Sequence, residues 1–529
     1  MSQLLLLQSG YLSPKLAFGV EKYCETPLLM NSSAGSVRVA ETATFEFELS
    51  VSGCDSCRTD LLALLVFPPC DYEYIQYSYR SACTPIWIPG MAIYIPISNI
   101  YYKLLCPRHK LQNFNMVDEK VILVIGSCGL DRLLSVTTFP DADDKVRTTA
   151  YNEVGGGNAA NTASAMALLK DSKFLAEKIV IKLLTKLGDD YVGKQLAQEL
   201  IQAGVDLTSP LFLYAGRGTT TAFTTIIVSD SEFTRTCIHT PGTCGELTLD
   251  DLDKVDLEDV FENVIHLHSD CRHTDISLAL ATEARRRDIT VSVDAEKDRN
   301  IASQHELLEL ATTIFMNSKQ LHEYFALRTN ILEAKHDRPA LQKPKVNCSI
   351  ANDVVANTLC NSIHPSAFYL RWFGESQLEK EVVITKGSIG ALRIKPESYE
   401  TAKTVDNSIA VHSEVNDHIL IDYSIADGNE HTSTRYKIET SGVLKDVHVV
   451  DTTGAGDAFM GGYLMVARTS GSVQLALDFG SWVGGKKVEG PGARSALPRA
   501  SQVDEQLGCT PKEVEENLKQ LVGSFGEKL

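Results

Sequence analysis

The chain has 529 residues, of which 44% are hydrophobic and 22% are charged, as in an ordinary globular protein. Its formal net charge of -18 argues against a general binder of nucleic acid or anionic membrane, because such proteins present a basic face. No apolar run reaches the roughly 18 residues that cross a bilayer. The leading MSQLLLLQSG also lacks the basic start of a secretory signal. We therefore expect a cytoplasmic protein without nucleic-acid or membrane partners.

The 13 cysteines are an odd number, without the dense spacing of a disulfide scaffold. This pattern favours free thiols in a reducing compartment. One CxxC pair occurs, Cys54 with Cys57, but no second pair follows it. We interpret these residues as unpaired thiols, with a zinc site as the alternative.

The character of the chain changes near Met116. Residues 1–115 show no sustained helical or strand period and hold six of the cysteines. We interpret them as an N-terminal extension of unknown role, either irregular in structure or not native. Met116 stands just before the first regular strand and is a candidate start of the protein.

From Val121 onward the sequence alternates between strand and helix patterns. Strands are predicted, in chain order, at VILVIGSCGL, VIHLHSD, ITVSVDAE, TIFMNSK and EVVITKGSIG. Helices are predicted at NAANTASAMALL and ISLALATEARRRD. This alternation predicts an α/β fold, with a mostly parallel sheet covered by helices on both faces. The carboxyl ends of such strands form the binding crevice.

Three further stretches depart from this rhythm. TTTAFTTIIVSDSEFTRTCIHT alternates with period two around Ser229 to Glu232, which predicts an antiparallel hairpin outside the main sheet. Residues 328–378 and 396–440 are polar and are interpreted as insertions. Within 501–529, Thr510 and Glu513 form a capping box and predict a C-terminal helix.

The stretch VVDTTGAGDAFMGGYL carries the strongest chemical signal. The amides of Gly454, Ala455 and Gly456 would lie at a helix N-terminus, where amides and helix dipole favour an anion such as phosphate. Asp457 would repel an anion, but it fits as a base that takes a proton from a hydroxyl attacking that phosphate. The alternative is a strand-to-helix turn with Asp457 as its cap.

The stretch EVGGGNAANTASAMALL carries the second signal. Asn158 and Asn161, three residues apart at a helix start, would direct side-chain amides toward a polyol. A glycine loop with an asparagine cap is the alternative. The GxxxxGK[ST] pattern of a Walker A phosphate-binding loop does not occur. The glycine run also lacks the GxGxxG spacing of a dinucleotide-binding site, which disfavours an oxidoreductase of that type. Asp131 follows the first strand, at whose carboxyl end it would bind hydroxyls or cap a turn.

Together these two motifs resemble the two signatures of the PfkB, or ribokinase-like, carbohydrate kinases, over about Val121 to Pro498. RTCIHTPG, VSVDAEKDR and ALDFGSWVGGKKVEGPG resemble ketohexokinase most, and the likeness extends to PfkB-type kinases of plants. The resemblance implies a three-layer α/β/α domain at 116–500, with a small β lid whose strands lie near 145–155 and 219–240. The resemblance further implies that the lid could mediate a homodimer, as it does in several relatives.

The resemblance also implies site residues. Asp457 would be the general base, and Gly454, Ala455 and Gly456 would form the anion hole. The implied substrate-binding residues are Asp131, Gly157, Asn158, Asn161 and Arg235. The implied nucleotide-binding residues are Asn317, Thr385, Gly387, Gly454 and Gly456. A monovalent cation such as K+ would be held by Asp451, Thr453, Gly492 and Ser495.

One position departs from the family pattern. Many members carry Asn-x-x-Glu where this chain has Asn317 to Gln320, so the charge that helps organise magnesium is missing. Ketohexokinase also lacks it. We predict an ATP- and Mg2+-dependent kinase of a small sugar or polyol, with a ketose such as fructose as the expected substrate. The alternatives are a nucleoside kinase and a non-catalytic sugar or nucleotide sensor.

Overall fold

The computed structural model describes residues 119–526 except 176, 230, 232–233, 296–301, 324–344, 349–378, 403–407, 412–418 and 428–429, and, before them, the backbone of six strands. For 345–348, 399–402, 408–411, 423, 425–427 and 430–432 it describes the backbone alone. The chain divides into two compact units, Met1–Met116 and Val117–Leu529.

The described strands of the first unit are β1 (Gly19–Cys24), β2 (Ala43–Leu49), β3 (Leu61–Phe67), β4 (Tyr74–Tyr77), β5 (Ala92–Ile97) and β6 (Ile100–Leu105). The first four form an antiparallel sheet in the order β1-β2-β3-β4, and β5 pairs with β6. These strands differ from the expectation of an irregular segment. Apolar and polar residues do alternate along β2, but only over its seven residues, too briefly to give a sustained period. The role of this unit stays unassigned.

The second unit contains the remaining described strands. They are β7 (Lys120–Ile125), β8 (Gly129–Val136), β9 (Ala150–Gly156), β10 (Ile179–Asp189), β11 (Phe212–Arg217), β12 (Phe223–Ser229), β13 (Thr234–Thr240), β14 (Val264–Ser269), β15 (Thr290–Asp294), β16 (Thr313–Asn317), β17 (Lys345–Cys348), β18 (Glu381–Thr385), β19 (Ala391–Ala402), β20 (Ser408–Val411), β21 (Ile419–Asp427) and β22 (Glu430–Ser441).

Its described helices alternate with these strands. They are α1 (Asn158–Leu169), α2 (Tyr191–Gln202), α3 (Leu249–Leu252), α4 (Leu257–Val260), α5 (Thr274–Arg286), α6 (Ala302–Leu310), α7 (Ala455–Thr469), α8 (Val473–Lys487), α9 (Ala500–Gln506) and α10 (Pro511–Leu521). None of them is long and apolar enough to cross a bilayer.

The main sheet has twelve strands in the order β11-β10-β7-β14-β15-β16-β18-β19-β22-β21-β20-β17. The first seven run parallel to their neighbours, as predicted. Beyond β18 the pairs β18-β19, β19-β22, β22-β21 and β21-β20 are antiparallel. The segment interpreted as an insertion at 396–440 therefore widens this sheet. The insertion at 328–378 lies outside the described residues except for the backbone of β17.

Helices cover both faces of the main sheet, which confirms the predicted three-layer α/β/α fold. Strand β7 shows the division, because Leu123 belongs to the hydrophobic cluster of α5 and α6, whereas Ile122 belongs to that of α1, α7 and α8. All five residues Val121 to Ile125 are buried, as expected for a central parallel strand covered on both sides.

A second, four-stranded sheet forms the lid in the order β13-β12-β8-β9. The hairpin β12-β13 is the one that the period-two alternation predicts. The glycine turn that the sequence predicts after the first strand is present. Strand β8, however, is not among the predicted lid strands, which lie near 145–155 and 219–240. Gly126 has a φ of 148°, and an added Cβ there would collide with the Asp270 carboxylate. The chain turns at this point and enters the lid.

The C-terminal segment forms α9 and α10 rather than a single helix. The predicted capping box is present at the start of α10, where the Glu513 amide donates to Thr510 Oγ1 across 3.3 Å. In return the Thr510 amide donates to Glu513 Oε2 across 3.0 Å. Both bonds satisfy amides that the first helical turn leaves without partners.

Candidate active site

A cleft of about 600 Å³ lies between the lid sheet, the carboxyl ends of the parallel strands and the N-termini of α1 and α7. Its size suits a small-molecule ligand. The predicted site residues that line it are Asp131, Gly157, Asn158, Asn161, Arg235, Asn317, Thr385, Thr453, Gly454, Gly456 and Asp457. The cleft lining does not include Ala455, Gly387, Asp451, Gly492 or Ser495.

The N-terminus of α7 forms one wall of the cleft. Gly454 precedes the helix with a φ of 76°, and a methyl group built on it would lie 2.7 Å from the Cβ of Ala493. Gly456, in contrast, has only open space within 4 Å of an added Cβ. The first amides of a helix have no intrahelical acceptor, so this wall can bind an anion.

Asp457 is in the first turn of α7 and only 8% exposed. Its Oδ2 accepts a hydrogen bond of 2.8 Å from the Asn161 side-chain amide, on α1. Asn161 Oδ1 in turn accepts a bond of 2.9 Å from Arg494 Nε. Since Arg494 can only donate, its bond fixes which end of the Asn161 amide faces Asp457. The two predicted motifs therefore meet at one carboxylate.

Arg494 itself is a residue that the sequence interpretation missed. It is buried, and its Nη2 donates to the Gly156 carbonyl across 2.6 Å while Nη1 lies 3.6 Å from Glu199 Oε1. It thus joins the C-terminal loop, the end of β9 and the start of α1. Sequence reasoning singled out the positions on either side, Gly492 and Ser495, but not this arginine.

Asp270 is a second residue that was missed. It follows β14 and is buried, and its Oδ2 accepts bonds from the Ser127 amide (2.9 Å), the Ser127 hydroxyl (2.6 Å) and the Ala159 amide (3.1 Å). Ser127 Oγ also accepts from the Asn158 amide across 3.1 Å. Through these bonds the carboxylate fixes the start of α1 against the turn after β7.

Asp131 lies on lid strand β8 rather than at the carboxyl end of the first strand, where the sequence places it. An added Cβ at Gly156, on the neighbouring strand, would collide with its carboxylate. Burial raises the pKa of Asp131 to about 6, against the opposing effect of the positive charges of Arg494 and Arg235. Asn158 Nδ2 lies 3.4 Å from Oδ2 of Asp294, a further carboxylate of the cleft.

Arg235 reaches from lid strand β13 to the loop before α7. Its Nη1 donates to Thr453 Oγ1 across 2.8 Å, and that hydroxyl donates to Asp451 Oδ1 across 2.7 Å. Asp451 Oδ2 accepts the Gly492 amide across 2.7 Å. The buried Lys487 ammonium donates to the Asp451 carbonyl across 2.8 Å. Of the four residues predicted to hold a cation, Asp451, Thr453 and Gly492 are thus joined at the cleft wall, whereas the exposed Ser495 donates to the Pro491 carbonyl instead.

The predicted nucleotide side lies at the ends of β16 and β18, where Asn317 pairs with Thr385. The Asn317 amide donates to Gln320 Oε1 across 2.7 Å, and the Gln320 amide donates to Asn317 Oδ1 across 2.9 Å. Gln320, which stands where many family members have glutamate, therefore caps the turn that follows Asn317. Gly387 begins a short 3-10 helix with a φ of 56°.

A comparison with known families identifies the chain. The sequence pattern of the pfkB family carbohydrate kinases matches residues 119–406 and 425–500, which is well over half of the protein. The chain belongs to this family. The protein is therefore a phosphotransferase that acts on a sugar, and the predicted family resemblance is confirmed. The particular likeness to ketohexokinase stays a prediction.

Curated relatives of this pfkB family member include two kinases of ribose or its phosphate. A protein of Halopiger xanaduensis named ATP-dependent ribose-1-phosphate kinase is 24% identical over 387 residues, which cover 72% of this chain and 96% of that protein. A Bacillus subtilis protein named ribokinase is 34% identical over 84 residues, which cover 16% of this chain and 26% of that protein.

A solved structure supports the fold of the pfkB domain. Ribokinase from Cryptococcus neoformans var. grubii serotype A, solved in complex with ADP, superposes with a TM-score of 0.50 at 18% sequence identity. The match covers 74% of this chain and 100% of that one. At this identity the likeness concerns the fold alone.

The cysteines whose side chains the structure describes are Cys128, Cys237, Cys244, Cys271 and Cys509, and none of these five is in a disulfide. Cys54 and Cys57 lie outside the described residues. Within the described part of the chain, no three His, Cys, Asp or Glu side chains gather in a way that could hold a metal ion.

Proposed function

We propose that this protein transfers the γ-phosphoryl group of ATP to a hydroxyl of a small sugar or polyol, with Asp457 as general base. The observation that carries the proposal is the position of Asp457. This buried carboxylate lies in the first turn of α7, next to the open space at Gly456, and it lines a cleft of suitable size. A proton acceptor and an anion-binding wall thus lie side by side.

The transfer needs few protein groups. The acceptor hydroxyl gives its proton to Asp457 while its oxygen forms a bond to the γ-phosphorus. The bond from that phosphorus to the bridging oxygen breaks, and ADP leaves. The amides of Gly454 and Gly456 stabilise the charge on the transferred group. The predicted contribution of Ala455 is dropped, because its amide donates to the Thr452 carbonyl across 3.2 Å and the residue does not line the cleft. Magnesium bound with the nucleotide would screen the triphosphate charge, near Asn317 and Thr385.

The acceptor would lie on the opposite side of Asp457. Asp131 and Asp294 can accept hydrogen bonds from sugar hydroxyls, whereas Asn158 can both accept and donate. All three line the cleft. A site built of such groups rejects analogues that lack a hydroxyl, because its own polar groups would stay unpaired. This supports a polyhydroxylated acceptor over the flat base of a nucleoside.

For the substrate itself we propose a ketose such as fructose first, on the grouping of Asp131, Asn158 and Arg235 in the cleft. Ribose 1-phosphate is the second candidate. The name of the Halopiger relative favours it, because 96% of that protein aligns with this chain. Two arginines of the cleft lining, Arg235 and Arg272, also favour it, since both could face a phosphate.

A substrate panel tests the proposal. Fructose, ribose, ribose 1-phosphate, myo-inositol and adenosine are assayed with ATP and Mg2+, and ATP hydrolysis without an acceptor is the control. We expect acceptor-dependent release of ADP with one sugar or sugar phosphate. Adenosine turning over far faster than any sugar would replace this proposal with a nucleoside kinase. ATP binding without turnover of any acceptor would favour the alternative of a non-catalytic sugar or nucleotide sensor.

The lid would also serve as a dimer interface. Strand β13 is the edge of the lid sheet and is exposed along its whole length, and Ile238 on it is 52% exposed. An exposed edge strand pairs readily with a second copy. We expect a homodimer by light scattering, and Ile238→Asp should shift it toward the monomer. A monomeric wild-type protein would contradict this assignment.

A further inference from the structure

The region behind the anion-binding wall contains a lysine that the proposed reaction does not use. Lys487 is the last residue of α8, and its side chain is fully buried. Its ammonium donates to the Asp451 carbonyl at 2.8 Å and to the Gly490 carbonyl at 3.3 Å. Burying an ammonium is costly unless it is paired, so this placement calls for a role.

The oxygens of Asp451, which were predicted to hold a monovalent cation, already have hydrogen-bond donors within the protein, so a free ion would have to compete with them. Alkali cations take oxygen ligands, as other hard cations do. Here both carboxylate oxygens of Asp451 already accept hydrogen bonds, from the amide and hydroxyl of Thr453 and from the Gly492 amide. The Ser495 hydroxyl donates to the Pro491 carbonyl. The ammonium of Lys487 supplies the positive charge that an ion would bring.

Asp451 connects this charge to the cleft wall. Its backbone amide donates to the Val488 carbonyl across 3.1 Å, and its carbonyl accepts the Lys487 ammonium. Its side chain holds Thr453, one residue before Gly454 and the start of α7. Hydrogen bonds from Thr453 and Gly492 outweigh the effect of burial and lower the pKa of Asp451, so the residue stays ionised opposite the ammonium.

The charge state of Lys487 fits this arrangement. Burial lowers the pKa of Lys487 to about 8, while the Asp451 carboxylate opposes that effect. The group is therefore mostly an ammonium at neutral pH. Lys487 itself does not line the cleft, so it acts on the reaction through the loop that it holds.

We propose that the Lys487 ammonium is a built-in cation that positions the loop of Asp451 and Thr453 behind the anion hole, so that the enzyme works without a free monovalent cation. The inference rests on the proposed phosphoryl transfer for its effect on rate. Lys487 is a positioning residue, because it does not line the cleft in which acceptor and nucleotide would bind.

The first test is a cation titration of the wild-type protein, which needs no variant. Turnover is measured in tetramethylammonium buffer, and K+, Na+ or NH4+ is then added. We expect the rate to change by less than about twofold, since the charge is already present. A rise of about tenfold or more with K+ would overturn the proposal, because it would show that a free cation is required.

The second test removes the ammonium. Lys487→Ala leaves two buried carbonyls without a donor and opens space for a small cation. We expect turnover to fall by about 10²-fold, as for small misplacements of catalytic groups, and to recover in part with K+ or NH4+ but not with tetramethylammonium. The matched control is Lys486→Ala, since Lys486 pairs with Glu489 near the surface and should be dispensable. An unimpaired Lys487→Ala variant would contradict the proposal.

Thermal unfolding separates this inference from the proposed reaction. K+ should raise the Tm of Lys487→Ala and leave the wild-type Tm unchanged, even if no acceptor is turned over. If K+ shifted the Tm of the wild type and of Lys487→Ala equally, the built-in cation would be rejected. The proposed kinase reaction would still stand. Lys487→Arg keeps the positive charge, so its Tm and turnover should not depend on K+. This variant replaces Lys487→Ala in the test if the alanine variant does not fold.

Discussion

Asn161 donates a hydrogen bond of 2.8 Å to the Asp457 carboxylate, and the two residues are 296 positions apart in the chain. Each belongs to a glycine-rich motif that begins a helix, α1 for Asn161 and α7 for Asp457. The bond explains why both motifs are needed for one site. It also gives the candidate base a neutral donor, which stabilises the ionised form of a carboxylate.

Replacement of Asn161 by aspartate should raise the pKa of the candidate base, Asp457. In Asn161→Asp two carboxylates would stand within hydrogen-bond distance, and like charges so close raise one of the pKa values. We expect the acid limb of the kcat/KM profile to move to higher pH. Asn161→Ala is the control, because it removes the donor without adding a charge. A shift of the same size in the alanine variant would contradict this explanation.

The two glycines of the anion hole should respond differently to alanine. Gly456→Ala places a methyl group in open space on the first helical turn, where alanine is favoured by about 1 kcal/mol. We expect an unchanged or higher Tm, with turnover reduced by about 10²-fold because the methyl enters the phosphoryl position. Gly454→Ala should instead lower the Tm, since its φ is 76° and Ala493 lies against it. Full activity of Gly456→Ala would place the phosphoryl group elsewhere.

Sugar binding should depend on the ionisation of Asp131. Burial raises its pKa to about 6, so the fraction ionised grows between pH 5 and 7. A carboxylate accepts hydroxyl hydrogen bonds better than a neutral acid, and binding therefore favours proton release. We expect the sugar Kd to fall as pH rises through 6, by up to about tenfold. Calorimetry on the wild-type protein and on Asp131→Asn measures this, and a pH step that persists in the variant would assign it to another group.

The second compact unit should fold without the first. The chain divides after Met116, and the family match begins at residue 119. A protein that starts at Met116 is expected to keep the Tm of the kinase unit and its turnover. Far-UV circular dichroism and the same activity assay compare it with the full chain. Aggregation or loss of the cooperative transition would mean that residues 1–115 complete the fold.

Most of the second unit could be predicted from short sequence patterns. Buried parallel strands such as β7 are continuous apolar runs, and α1 and α7 begin at glycine-rich turns, so local patterns specify them. Asp457 and Asn161 were found in the same way, because each lies within a compact motif. Their nearness in space follows from the parallel sheet, which brings strand ends and helix starts to one edge.

The residues that were missed have no local signal. Arg494 bonds to Asn161 across 333 positions, and Asp270 fixes Ala159 across 111 positions. A single arginine or aspartate in a loop is interpreted as a solvated charge unless its partner is known. The lid position of Asp131 was missed for a similar reason. The sequence places this residue at the carboxyl end of the first strand, whereas its pairing partners in the lid are the distant residues Val154 and Thr224.

In the proposed reaction Asp457 takes the proton of the acceptor hydroxyl. Asp457→Asn keeps the size of the side chain and can still bond to Asn161, but it removes the basicity. The decisive measurement is turnover in this variant with the best acceptor of the panel, together with its ATP affinity by calorimetry. Asp253→Asn, an exposed carboxylate outside the cleft lining, is the control. We predict a loss of about 10²- to 10⁴-fold in kcat with ATP binding retained. Near-normal turnover of Asp457→Asn would show that a group other than Asp457 takes the proton.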